Sequence, residues 1–310
     1  MQIKKSLAGV LAAISLTTMA QELKIGWASR DVTPKDAIAI PGQFNQRISK
    51  GVRDPITLTT LVIDNGSDSV IFLSADIINV RSFLLDKVRE KAAKLNPEIP
   101  VQKILMNATH THTGPNTRAS AEYPSPETFT DDSGKTVKVM SGDDYLEFIS
   151  AKAAEAIAEA WKKRAPGGVA WGYGYATVGH SRRVVYMDDT SKRPDSRKQM
   201  QNGHGIMYGN TNDDKFSHYE AGADSFVNLL YTFDPDGKLT GAIVNVPCPS
   251  QNSETEWMLS ADFWHDARAD IRKKHGDIFI LPQCAAAGDL APRLLHYKAA
   301  QQRRLRLKYG

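Results

Sequence analysis

Residues 69–106 read SVIFLSADIINVRSFLLDKVREKAAKLNPEIPVQKILM, and the fold class is decided there. Ser69–Ser74 is a short run rich in β-branched and apolar side chains, the mark of a strand. Phe83, Leu84, Val88, Ala92 and Leu95 then recur at helical spacing until Pro97 stops the pattern. Val101–Met106 is a second short apolar strand. Strand, helix and strand in that order predict a βαβ crossover, and with it a partly parallel sheet.

Upstream, Thr57–Ile63 joins Ser69–Ser74 across Asn65-Gly66, a strong hairpin signal. Leu23–Ala28 reads as a first strand, followed by a loop from Pro34 to Pro55. Downstream, a polar loop from Asn107 to Gly142 leads into the clearest helix, Asp143–Arg164. Leu146, Ile149, Ala153, Ile157 and Trp161 form its apolar stripe, with acidic residues in its first turn and basic ones in its last. Val169–Val178 alternates like a strand, and residues 179–223 read as one long irregular region. Val227–Phe233 and Leu239–Val246 form a second hairpin across Asp234-Pro235-Asp236-Gly237. A helix over Ala261–Lys274 and a buried strand over Ile278–Leu281 follow. The expected fold is α/β, with mixed β-sheets that combine a βαβ unit and antiparallel hairpins, packed by helices.

The 310 residues are 41% hydrophobic and 24% charged, which excludes a disordered chain, a collagen-like repeat and a coiled coil. A net charge of +4 is too even a balance for a nucleic-acid binder. Two cysteines cannot make a disulfide scaffold. The amino terminus places Lys4 and Lys5 before an apolar stretch, Leu7–Leu16, and Thr18-Met19-Ala20 precedes polar residues. That order reads as a secretory signal peptide, residues 1–20, cleaved near Ala20; the apolar run is too short for a membrane anchor. The expected location is periplasmic or secreted, with no transmembrane segment in the mature chain.

The strongest chemical signal is Asn107-Ala108-Thr109-His110-Thr111-His112-Thr113-Gly114-Pro115, at the carboxy end of a predicted strand. In extended backbone, residues two apart share a face, so His110 and His112 can converge. One can ligate a metal while the other polarises substrate or water; two surface histidines in a threonine-rich loop is the plain alternative. Cys248, in Val246-Pro247-Cys248-Pro249-Ser250-Gln251, is open to four readings: metal ligand, nucleophile, disulfide partner of Cys284, or inert buried thiol. His180 and His204 lie in the irregular region. His265 and His275 belong to the late helix and read as half-buried and solvated.

Several of these stretches resemble the neutral/alkaline non-lysosomal ceramidase family. Thr109-His110-Thr111-His112-Thr113-Gly114-Pro115 is similar to its T-H-T-H-S/T-G/A-P element. Gly26–Pro34 resembles its opening G-x-x-x-x-D-I-T-P, Asp54-Pro55 and Ser74-Ala75-Asp76 its next strand pair, and Gly288–Pro292 its G-D-V-S-P loop. The resemblance implies a secreted zinc amidase that cleaves the N-acyl bond of ceramide to sphingosine and a fatty acid. It makes His110 a zinc ligand, His112 the catalytic histidine and Arg182 the substrate anchor, with Arg183 the alternative. Cys248-Pro249 falls where the family has its second zinc histidine, so Cys248 takes that place. Ala291 stands where the family's loop has serine, which excludes a nucleophilic serine there. The implied cofactor is one zinc ion, and the implied partner a small lipid-like amide, ceramide or an analogue. Residues 21–310 match the family's amino-terminal catalytic domain without its remaining ligands, a glutamate and a tyrosine, so the domain is expected to be incomplete at its carboxy end. Two further readings stay open: the same metal site acting on another amide or ester, and a secreted binding protein without metal.

Overall fold

The computed structural model of the chain describes residues 22–43, 45–118, 120, 124–131, 133–193 and 201–295. The expected signal segment and the basic tail after Leu295 lie outside these residues. The main elements in chain order are β1 (Lys24–Asp31), β2 (Thr57–Asp64), β3 (Ser69–Ala75), α1 (Ser82–Leu95), β4 (Ile104–Ala108) and α2 (Gly142–Lys162). They continue with β5 (Gly168–Tyr175), β6 (Phe226–Phe233), β7 (Leu239–Val246), α3 (Phe263–His275) and β8 (Phe279–Cys284).

The first sheet runs β1-β2-β3-β4, with the short strand Ala165–Pro166 on the outer edge of β1. β2 and β3 are antiparallel, and their Asn65-Gly66 turn closes as its sequence demands. Gly66 takes φ 83°, and the Asn65 side-chain oxygen Oδ1 accepts the Ser67 and Asp68 amides at 3.1 and 2.8 Å. β3 and β4 are parallel, with α1 as the crossover, so the expected βαβ unit is present. One face of this sheet is covered by α1 and α2. Leu84, Val88, Ile149, Ala153 and Ile157 are buried there with Leu58, Ile71 and Leu73. Ser141 caps α2 by accepting the Asp144 amide at 3.0 Å.

The other face packs on a second sheet, β5-β6-β7-β8. Ile25, Trp27 and Leu61 meet Ile243 and Leu281 across the seam. Trp27 stacks on Phe279 with ring centres 5.5 Å apart, and its indole nitrogen donates to Thr232 at 2.9 Å. The remaining face of the second sheet buries Trp264 of α3 against Val244, Val246 and Ile280. The result is four layers, helices–sheet–sheet–helix. The buried Asp76 carboxylate, just past β3, takes both Arg268 nitrogens from α3 at 2.9 Å and the Thr57 amide at 3.0 Å.

Three regions differ from the sequence reading. β7 and β8 are parallel with α3 between them, so there is a second crossover beyond the expected one. Residues 179–223 are not one irregular loop: Arg183–Tyr186, Gln201–Asn202, Gly205–Met207 and Phe216–Tyr219 form a small sheet. Its strands are two to four residues long, too short to show alternation, and ion pairs brace it. Arg193 bridges Asp188 and Asp213, and Arg183 pairs with Glu220. The polar loop after β4 likewise contains a hairpin, Thr128–Thr130 with Thr136–Met140. His265 is exposed rather than half-buried. No helix among the described residues is long and apolar enough to cross a membrane.

Candidate functional site

Both parallel pairs end at one place. β4 runs out at Ala108 into Thr109–Thr113, β7 at Val246 into Cys248–Gln251, and β8 at Cys284 into Gly288. Carboxy ends of parallel strands are where α/β folds build sites, because crossover loops leave that edge open. The short pair His180–Ser181 with Leu290–Ala291 brings Arg182 to the same mouth.

His110 and His112 meet there with Nε2 atoms 3.3 Å apart, but not by strand alternation. The strand ends before them, and His110 has φ 59°, a left-handed conformation uncommon for a side chain of its size. Its Nδ1 lies 2.6 Å from the Ile78 carbonyl, so a proton there leaves Nε2 with a free lone pair facing the site. The buried His112 ring is flanked by Gly42, where a Cβ would come within 2.8 Å of it; φ +99° at Gly42 likewise suits glycine alone. Burial is the leading cause of a lowered pKa for both histidines, and pushes His112 down to about 3, so His112 is neutral at pH 7.

Gln251 and Glu254 complete the surroundings. The Gln251 amide nitrogen lies 3.1 Å from His112 Nε2 and 3.2 Å from Glu254 Oε2, and its carbonyl faces Arg182 Nη1 at 3.5 Å. Glu254 Oε2 also accepts from Gln43 at 3.2 Å, and the same carboxylate pairs with Arg293. Arg182 donates to Tyr208 at 2.8 Å and to the Gly288 carbonyl at 2.7 Å. Arg183, one residue on, is held by Glu220 instead. Beneath the loops, buried Arg47 donates to the carbonyls of Pro41, His112, Glu254 and Glu256 at 2.5–3.0 Å.

Cys248 sits apart from this cluster in its contacts. It is fully buried in the apolar group around Val246 and Trp264, and its thiol faces the carbonyls of Val178 and Pro249 at 3.6 and 3.4 Å. Burial pushes it up to about 12 and Cys284 up to about 11, and both cysteines are free thiols. Cys284, not Cys248, lines the cavity of about 280 Å³ beside His110, together with Ile78, Pro249 and Ala287. Ala291 is buried and paired with His180. Among the described residues, no group of three or more His, Cys, Asp or Glu side chains is arranged to hold a metal ion. Of the other histidines, His204 is exposed with Nδ1 near the Tyr186 carbonyl, and His218 lies against Ser217.

Gln251, Glu254, Gln43 and Arg47 were not singled out by their chemistry in the sequence. Gln251 closes the Val246–Gln251 run, and its position beside a proline-stiffened strand end was its one local signal.

No family model and no curated protein matches the chain. Among solved structures, it is similar to the neutral ceramidase from Pseudomonas aeruginosa. That match has a TM-score of 0.63 and 20% identity, covering 90% of this chain and 40% of the other. It is also similar to a ceramidase complexed with C2, with a TM-score of 0.62 and 18% identity, covering 88% of this chain and 39% of that one. At such identity the likeness shows a shared fold. The chain spans about two fifths of the length of these structures.

Proposed function

We propose that this chain is a zinc-dependent amidohydrolase of neutral-ceramidase type, exported after cleavage near Ala20, that hydrolyses the N-acyl bond of ceramide. The observation that carries this reading is the pairing of His110 and His112 at the joint mouth of two parallel strand pairs, with Arg182 reaching the same amide, Gln251, that touches His112. The residues fit a metal in part. His110 is arranged as a ligand, with Nδ1 tied to a backbone carbonyl and Nε2 turned to the site. Cys248 serves as the second ligand if its thiol leaves the Val178 and Pro249 carbonyls and ionises against its burial. Bound zinc supplies Lewis acidity toward the amide carbonyl and toward water.

The chain's own groups take the remaining roles. His112, neutral at pH 7, accepts a proton as water adds to the carbonyl and returns it to the leaving amine. Arg182, oriented by the Gly288 carbonyl and the Tyr208 hydroxyl, presents its guanidinium to polar atoms of the substrate. Gln251 and Glu254 fix the His112 ring. A second reading, hydrolysis of a smaller amide or ester, is favoured by the modest cavity beside His110, about 280 Å³, which holds only part of a two-chain lipid.

The test is zinc content and hydrolysis of a short-chain fluorescent ceramide against a panel of simple N-acyl amides. Wild type is expected to hold one zinc and cleave ceramide, and His110→Ala to lose both. His112→Ala is expected to keep zinc and lose at least a hundredfold in rate. Cys248→Ser with unchanged zinc removes Cys248 from the ligand set. Zinc-loaded protein that cleaves simple amides but leaves ceramide intact overturns the substrate assignment.

A further inference from the structure

We propose that the outer edge of β5 is a self-association surface, and that a second copy of this chain pairs with it antiparallel to make one continuous eight-stranded sheet. β5 is the edge strand of the second sheet, and no strand among the described residues pairs with its outer side. Its sequence, Gly168-Val169-Ala170-Trp171-Gly172-Tyr173-Gly174-Tyr175, carries neither charge nor proline over eight residues. Edges that stay single are guarded by charge, proline, bulges or brevity, and this one has none of those guards.

The side chains point the same way. Trp171, Tyr173 and Tyr175 alternate with glycines, so all three rings stand on one face, joined by Phe226 from β6 opposite Tyr175. Their exposures are 81%, 63%, 70% and 42%. The rings of Tyr173, Tyr175 and Phe226 already pack together, with centres 4.8–5.8 Å apart. At about 150–250 Å² per ring, the four expose on the order of 500 Å² on each copy. An edge-to-edge pair buries the backbone edge and the facing flanks of Trp171, Tyr173 and Tyr175, which places the contact among weak, concentration-dependent associations.

A second copy is the occupant because the strand is complementary to itself. A two-fold axis through Tyr173 sets Tyr173 opposite its own copy, Trp171 opposite Tyr175 of the second copy, and Gly172 opposite Gly174 of the second copy. Each of the three rings on β5 meets a ring, and Gly172 meets Gly174, the self-matching that an isologous contact requires. A Cβ at Gly172 or Gly174 would meet nothing within 4 Å, so crowding inside one copy does not call for these glycines.

The experiment is sedimentation velocity on the full chain from 1 to 100 µM, with circular dichroism as the check on folding. Wild type is expected to pass from monomer to dimer over this range. Trp171→Lys should weaken the dimer at least tenfold while the spectrum is kept. Adding Tyr175→Glu in the same chain should restore the dimer, because the register sets Lys against Glu twice across the axis. A folded wild type that is monomeric at 100 µM overturns the proposal. So does a double variant no better than the single one, or a monomer that binds phosphatidylcholine vesicles through these rings without self-association.

Discussion

His110 and His112 lie two residues apart and were visible in the sequence as a pair, but their usefulness depends on groups far along the chain. The Gln251 amide that touches His112 lies 139 residues away, and no local pattern marks it. What the sequence alone misjudged was the route: alternation along a strand was expected, whereas a left-handed His110 turns one ring toward the other. Burial of His112 has a thermodynamic signature. An exposed histidine titrates near 6.5, while folded His112 is held at about 3. Below pH 6.5 the unfolded chain therefore binds a proton that the folded chain refuses. Stability falls as pH drops, by about 1.4 kcal/mol per unit, until the folded pKa is reached. Above about pH 7.5 the effect vanishes. Metal-free protein is expected to lose about 2 kcal/mol from this histidine between pH 7 and pH 5, read from urea midpoints at the two pH values. His112→Gln should flatten that slope, and an equal slope in both proteins refutes the assignment.

Elements of ordinary length were legible because their periodicity shows. β3, α1 and β4 switch from strand to helical spacing and back, so the first crossover could be read directly. The second crossover has the same strand–helix–strand order, Leu239–Val246, Ala261–Lys274 and Ile278–Leu281, but the hairpin signal at Asp234–Gly237 accounts for only one neighbour of β7, and β8 is the other. The short strands of residues 183–219 were hidden for a different reason: each is two to four residues long, and their small core, Val184, Tyr186 and Ile206 with Phe216 and Tyr219, is assembled from separate strands that show no alternation of their own. An ionic tie joins the large elements. Asp76, fully buried at the end of β3, receives two hydrogen bonds from Arg268 of α3. Asp76→Asn strands a buried guanidinium, and is expected to destabilise the protein by about 3–5 kcal/mol. At 2–4 °C per kcal/mol for a chain of this size, scanning calorimetry should show a drop on the order of 10 °C. A shift under 2 °C would mean that Arg268 finds another partner.

At the scale of the whole molecule, four layers place the segments around Pro41, His112 and Glu254 against one another beside the mouth where both crossovers open. Composition announced a chain able to bury a core, and the α/β class followed from pattern; the stacking of two sheets did not. That stacking depends on pairs such as Trp27 with Phe279 and Thr232, more than 200 residues apart. What fastens the loops is Arg47, whose guanidinium holds carbonyls from residues 41, 112, 254 and 256 at once. Three segments clasped by one cation cannot breathe separately. Their amides should share a single opening free energy and behave as one cooperative unit in native-state hydrogen exchange. Mass spectrometry of exchanged peptides is expected to give residues 41–43, 109–113 and 250–256 matching protection, lost together in Arg47→Met. Loops that exchange at rates differing by orders of magnitude in the native protein would show the clasp to be looser than its geometry. With the clasp holding, the site comes and goes as a whole, and the fraction of molecules competent at any instant is set by one equilibrium at Arg47.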